Sequence, residues 1–224
     1  YVASAGNSVK VLDLPDTPAA RAKFMAHWAK KTAKKDKNAL LPLLLLPLAA
    51  CGGGDTVDVK PVTTITGTAD EIVIAAQSDG ITKATNYAAT VDSGTATVAQ
   101  ALILDAATTG AITATISNGD LTTLTALTDA NGNNALTITL TDTSADAADL
   151  NTVAAITSVV VDATAVTTIT GTADAIVNVA QSAGITTAAD YAATVNSGTT
   201  TVAQALILDT ETTGAITADI TEGD

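Results

Sequence analysis

The sequence predicts an α/β fold, an elongated repeat solenoid of short strands and short helices whose strands form a parallel sheet. Three observations predict it. Residues 62–120 recur at 166–224 with a constant offset of 104 residues, and 45 of the 59 paired positions are identical. Repetition of this kind marks one supersecondary unit stacked on its neighbours. Within the period, β-branched runs alternate with helix-start signals, and strand candidates fall about 25 residues apart, room for one strand and one short helix. The composition, 47% hydrophobic but only 2% aromatic, suits a thin core layered from Ala, Val, Ile and Leu.

Residues 1–24 carry no usable periodicity and read as an unassigned or a non-native segment upstream of Met25, the only methionine. From Met25 the chain has the layout of an export signal, so 25–50 reads as a signal peptide. Lys30, Lys31, Lys34, Lys35 and Lys37 make its basic block, and 39–50 (ALLPLLLLPLAA) its apolar block. As a helix, those 12 residues would span about 18 Å against a hydrocarbon core of ~30 Å, and Pro42 and Pro47 interrupt them. A spanning helix is therefore disfavoured. Gly52, Gly53 and Gly54 then open a flexible tether over 51–61.

The repeat region, 62–224, begins with VTTITG (62–67), extended because Val, Ile and Thr are stiff at χ1 and fit a pleated surface. Thr68 followed by Glu71 has the form of a capping box and opens a helix over 69–79, with Gly80 placed to stop it. In the second copy Ala175 replaces Glu71, so the box loses half its bonds while Thr172 remains. NYAATV (86–91) is the next strand; Thr97 caps a helix over 97–108, and Gly110 ends it. AITATI (111–116), LTTLTAL (121–127), ALTITL (135–140) and VVVDA (159–163) read as strands, with turns at 117–120 and 129–134. A helix over 144–156, capped by Thr143 or Ser144, turns Leu150, Val153 and Ala154 inward. The alternative architecture, all-β Ig-like modules, has these three helices against it.

Charge and residue types narrow the function. Eight of ten Lys and Arg precede Cys51, whereas 20 of 23 Asp and Glu follow, so 51–224 carries two cations against 20 acids, or −18. Such a field repels nucleic acid, and no nucleic-acid partner is expected. Past Cys51 there is no His, Trp, Phe, Met or Arg, so neither a His-based triad nor a His-ligated zinc site is available there. No phosphate-binding glycine motif occurs. The segment reads as non-enzymatic, with no catalytic residue and no small-molecule substrate. Calcium is the one cofactor the residues raise, at Asp129, Asn131 and Asn133, but Asn134 stands where an EF-hand loop needs Gly and Leu140 where it needs Glu. A plain turn is the reading, with no metal site. Tyr87 and Tyr191 hold equivalent repeat positions and read as packing residues.

Leu48, Ala49, Ala50 and Cys51 resemble the lipobox of bacterial lipoproteins. The resemblance implies acylation of the Cys51 sulfur, cleavage before Cys51, and a membrane partner reached through that lipid. With Gly52 in place of Asp after the cysteine, it implies an outer-membrane or cell-surface location in the bacterial envelope. The phrases TITGTAD and LTLTDT-like runs of 62–224 resemble Thr/Ala/Asp-rich repeats of very large, adhesin-like bacterial surface and secreted proteins. Two functions follow. One is a lipid-anchored extracellular stalk or adhesive fibre meeting an unidentified surface or matrix partner. The other is a spacer for an enzymatic or ligand-binding domain beyond Asp224.

Overall fold

The computed structural model describes residues 2–4, 9–11 and 60–221. The first two stretches, β1 (Val2–Ser4) and β2 (Val9–Val11), pair antiparallel within the segment left unassigned above. The signal peptide, Cys51 and the tether up to residue 59 lie outside the described residues.

Residues 62–221 alternate strands and helices. In order these are β3 (Val62–Gly67), α1 (Ala69–Gln77), β4 (Lys83–Val91), α2 (Val98–Ala107), β5 (Ile112–Thr115), α3 (Leu121–Leu124) and β6 (Asn134–Thr137). Then come β7 (Ser144–Asp146), α4 (Ala147–Ala155), β8 (Val161–Ala163), β9 (Thr168–Thr172), α5 (Ala173–Ala180) and β10 (Ile185–Thr187). Last are β11 (Ala192–Ser197), β12 (Thr200–Thr201), α6 (Val202–Glu211), β13 (Ile216–Thr217) and β14 (Ile220–Thr221). The fold is mixed α/β with parallel sheets. The Ig-like alternative is overturned, because such sandwiches pair antiparallel whereas every strand pair among 62–221 is parallel and six helices intervene.

Two four-stranded sheets carry most of the pairing, one ordered β3-β4-β5-β6 and the other β7-β9-β11-β13. In the first, Ile65 faces Ala89, Ala89 faces Ile112, and Ile112 faces Asn134. In the second, Ala145, Ile169, Ala193 and Ile216 face one another in turn. Parallel neighbours cannot be joined by a tight hairpin, so each connection crosses over, and most of the crossovers carry a helix. Alternation does the sorting in β5: Ile112 and Ala114 are buried, Thr113 and Thr115 exposed. Ile72, Leu104, Leu124, Leu150 and Ile176 meet the strands in one continuous core.

Three elements depart from the sequence reading. The stretch 121–127 is not a strand: Leu121–Leu124 is a helical turn. Asp120 accepts from the Thr123 N–H and Asp142 from the Leu121 N–H, and these caps outweigh the β-branched threonines. The buried leucines at 121, 124 and 127 are spaced by three, a helical and not a strand period. The helix expected from 144 instead starts at Ala147, capped by the Asp146 carboxylate and not by Thr143 or Ser144. Ser144 is held extended, facing Thr168. Gly80 does not stop α1 as a left-handed cap: the helix ends at Gln77, with Ser78 extended as its cap, while Gly110, past the end of α2, is needed for space, since a Cβ there would lie 2.3 Å from the Tyr87 carbonyl oxygen.

The two copies also take different places in the ladders. From Ile65 three pairing steps reach Asn134, whose carbonyl accepts from the Ser158 N–H, 11 residues short of Ile169, the repeat equivalent of Ile65. The second copy therefore starts a new ladder, with Ala145 as the partner of Ile169.

Candidate functional site

The side chains with specific geometry are those that fasten one repeat unit to the next. At the C-terminus of α2 the buried Thr108 hydroxyl donates to the Tyr87 carbonyl at 2.5 Å and accepts from the Gly110 N–H at 2.9 Å. Thr212 does the same to Tyr191 and Gly214, at 2.6 and 3.0 Å. Thr157 repeats the clasp between the copies, donating to the Leu136 carbonyl at 2.8 Å and accepting from the Val159 N–H at 3.2 Å. Each clasp reaches back 21 residues. The close approach that Gly110 and Gly214 permit brings the hydroxyl within reach.

A second fastening joins the helices. Gln100 closes a capping box with Thr97, and its amide nitrogen donates to Asp70 on α1 at 2.6 Å. In the second copy Gln204 boxes Thr201 and donates to Asp174 on α5. The Thr68–Glu71 box forms as the sequence predicts, and Thr172 alone caps α5. Sequence reasoning missed Gln100 and Gln204, although the T-x-x-Q spacing is a capping-box signal. It also missed Lys83, whose ammonium donates to the Ala75 and Ser78 carbonyls at the C-terminal end of α1, where the helix dipole favours a cation.

Several carboxylates are engaged with neighbouring donors. Asp129 accepts from the Asn133 and Asn134 N–H groups, and the buried Asp105 accepts from the Thr128 hydroxyl and the Ala130 N–H. Asp120 and Asp162 are held below the usual carboxylate range by hydrogen bonds from Thr123 and Thr164. Among the described residues no three His, Cys, Asp or Glu cluster as metal ligands. Tyr87 and Tyr191 are buried in the core, with hydroxyls that have no protein partner. Burial raises both phenols, and for Tyr191 the charge of Glu211 adds to it.

An open apolar surface lies beside α6. Val202, Ala205, Leu206, Asp209, Ile216 and Ile220 line a shallow groove of about 340 Å³. Their counterparts in the first copy are buried, except Leu102, which is half-buried: Val98 is 5% exposed against 50% for Val202, and Ile116 6% against 48% for Ile220. No protein-family model, curated protein or solved structure matches this chain. Cys51, the predicted lipidation site, lies outside the described residues. No helix among the described residues is long and apolar enough to cross a membrane.

Proposed function

We propose that residues 60–221 form an elongated solenoid with a mechanical, non-enzymatic role: a stalk or adhesive fibre tethered to the bacterial envelope through lipid on Cys51. One observation carries the structural half. Thr108–Tyr87 and Gln100–Asp70 recur as Thr212–Tyr191 and Gln204–Asp174, so the repeated polar side chains hold one unit to the next. A chain fastened this way is stabilised by nearest-neighbour contacts and gains length with each unit. The acidic surface supports the same role by keeping an extended protein soluble.

The anchoring half rests on the lipobox resemblance and the basic and apolar blocks before it. Expression of the full chain in a bacterium fed labelled fatty acid tests it. The wild-type product is expected to carry label and sediment with membranes, and Cys51→Ser to lose both. Retention of label by Cys51→Ser refutes the anchor. For the stacked architecture, Ser144 pairs with Thr168 and Thr168 with Ala192, and Ala215, the residue before β13, lies alongside, its carbonyl accepting from the Ala193 N–H, so spin labels at Ser144→Cys and Ala215→Cys in the Cys51→Ser chain sit three strand spacings apart. With ~4.8 Å per spacing their backbones should lie about 14 Å apart. A separation beyond the short range read by continuous-wave EPR removes the stack.

A further inference from the structure

We propose that the face built from α6, β13 and β14 is a docking face for a further segment of this same repeat, one with the residue pattern of 121–140. The inference rests on the stacked-repeat half of the reading above and is independent of the anchor. Its ground is an internal comparison. The stretch VAQALILD occurs identically at 98–105 and 202–209. In the first copy the unit that follows covers this face: β5 pairs with β6, and Leu121, Leu124, Leu127, Leu136 and Ile138 are all buried in the same core as Val98, Leu104 and Ile116. In the second copy Val202, Leu206 and Ile220 remain 50%, 62% and 48% exposed.

The complement is polar as well as apolar. Asp105 is buried because the Thr128 hydroxyl and the Ala130 N–H donate to it from the covering unit. Its counterpart Asp209 lies in the open groove. The Thr137 carbonyl likewise receives the Ile116 N–H, whereas Ile220 pairs only with Thr200 among the described strands. An occupant must therefore bring leucines spaced by three, a Thr-x-Ala donor pair to meet Asp209, and a parallel strand to extend β13. A unit of this repeat carries all three. A second whole copy keeps its own Leu121, Leu124, Leu127 and Leu136 buried and has none to offer without unfolding.

The test uses the full chain with Cys51→Ser, extended after Asp224 by a duplicate of residues 121–165, beside the unextended chain. With Val202→Cys as the only thiol, its counterpart Val98 being 5% exposed beneath the covering unit, labelling by a maleimide is expected to slow about tenfold or more on extension, as a local opening would then be required. Serine at the appended counterparts of Leu121, Leu124 and Leu136 should restore fast labelling. Amide exchange across α6, β13 and β14 reads the same protection without any cysteine and should slow in parallel. Unchanged labelling and exchange in the extended chain overturn the proposal. So does a concentration-dependent dimer of the unextended chain that protects the same residues, because the occupant is then a second copy. Either result leaves the Ser144–Ala215 separation untouched, so failure of the docking face is distinct from failure of the stack.

Discussion

Replacing Thr108 by Val keeps the side-chain shape and removes only the clasp. The Gly110 N–H then loses its acceptor, and the Tyr87 carbonyl loses a 2.5 Å donor, at a position 4% exposed where water does not substitute freely. A net hydrogen bond contributes about 1 kcal/mol, and a buried group left unsatisfied costs about 1–3. The two losses together should destabilise the chain by about 2–3 kcal/mol. For a domain of this length that is a fall in melting temperature of about 4–12 °C. Thr212→Val removes the same pair of bonds from an equally buried hydroxyl. It does so beside the open face, where local fraying bypasses much of the cost, so its global effect should be under half as large. Urea unfolding of both variants, followed by far-UV circular dichroism, measures the difference. Equal losses at the two positions, or less than about 0.5 kcal/mol at Thr108, would show that the clasp does not hold adjacent units together.

Gly110→Ala places a Cβ 2.3 Å from the Tyr87 oxygen and should cost about 3 kcal/mol or more, whereas Gly80→Ala, whose Cβ would find its nearest atom at 3.6 Å, should be nearly neutral; thermal melts compare them. Gln100→Ala opens both a capping box and the bond to Asp70, and should lower stability by about 1 kcal/mol in urea titrations, with an unchanged fold by circular dichroism. The raised phenols of Tyr87 and Tyr191 favour the neutral form in the folded state. Their contribution is complete below the unfolded value near 10 and is lost as pH rises through the higher folded value. Melting temperature should therefore fall steeply above about pH 10, and Tyr87→Phe should shallow that fall.

What was legible in the sequence was local chemistry. Thr68 with Glu71, and Thr97 before an apolar run, predict helices that form where expected, and VTTITG and NYAATV form strands. The misreadings arose where two local signals competed. At 121–127, threonine β-propensity argued for a strand, while Asp120 and the leucine spacing argued for a turn of helix, and the caps won. At 143–147 the carboxylate of Asp146 outcompeted two hydroxyls as the cap, and Ser144 was drawn into a ladder whose other strand lies 24 residues later. That partner is a long-range fact no local pattern carries. The Thr clasps escaped notice for the same reason, because the receiving carbonyl sits 21 residues upstream and is a backbone atom without a sequence signature.

The differences between the copies follow from the same separation of local and neighbour effects. Positions that vary, such as Ile74 to Asn178, Asp79 to Ala183 and Asp92 to Asn196, are exposed in both copies. Ala75 to Val179 and Ala96 to Thr200 alone fall on buried positions. A residue changed on the outside meets only water, so it drifts freely. One changed inside meets two neighbours at once and must suit both, and small aliphatic side chains meet that demand with least strain. The scarcity of aromatics in this chain follows. Within residues 60–221 the aromatics are Tyr87 and Tyr191, and each lies where the chain provides a glycine, Gly110 or Gly214, for the neighbouring backbone to close against its carbonyl. Burial here is set by the unit that comes next as much as by the residue itself, which is why Val98 and Val202, in identical octapeptides, end on opposite sides of the same physical rule.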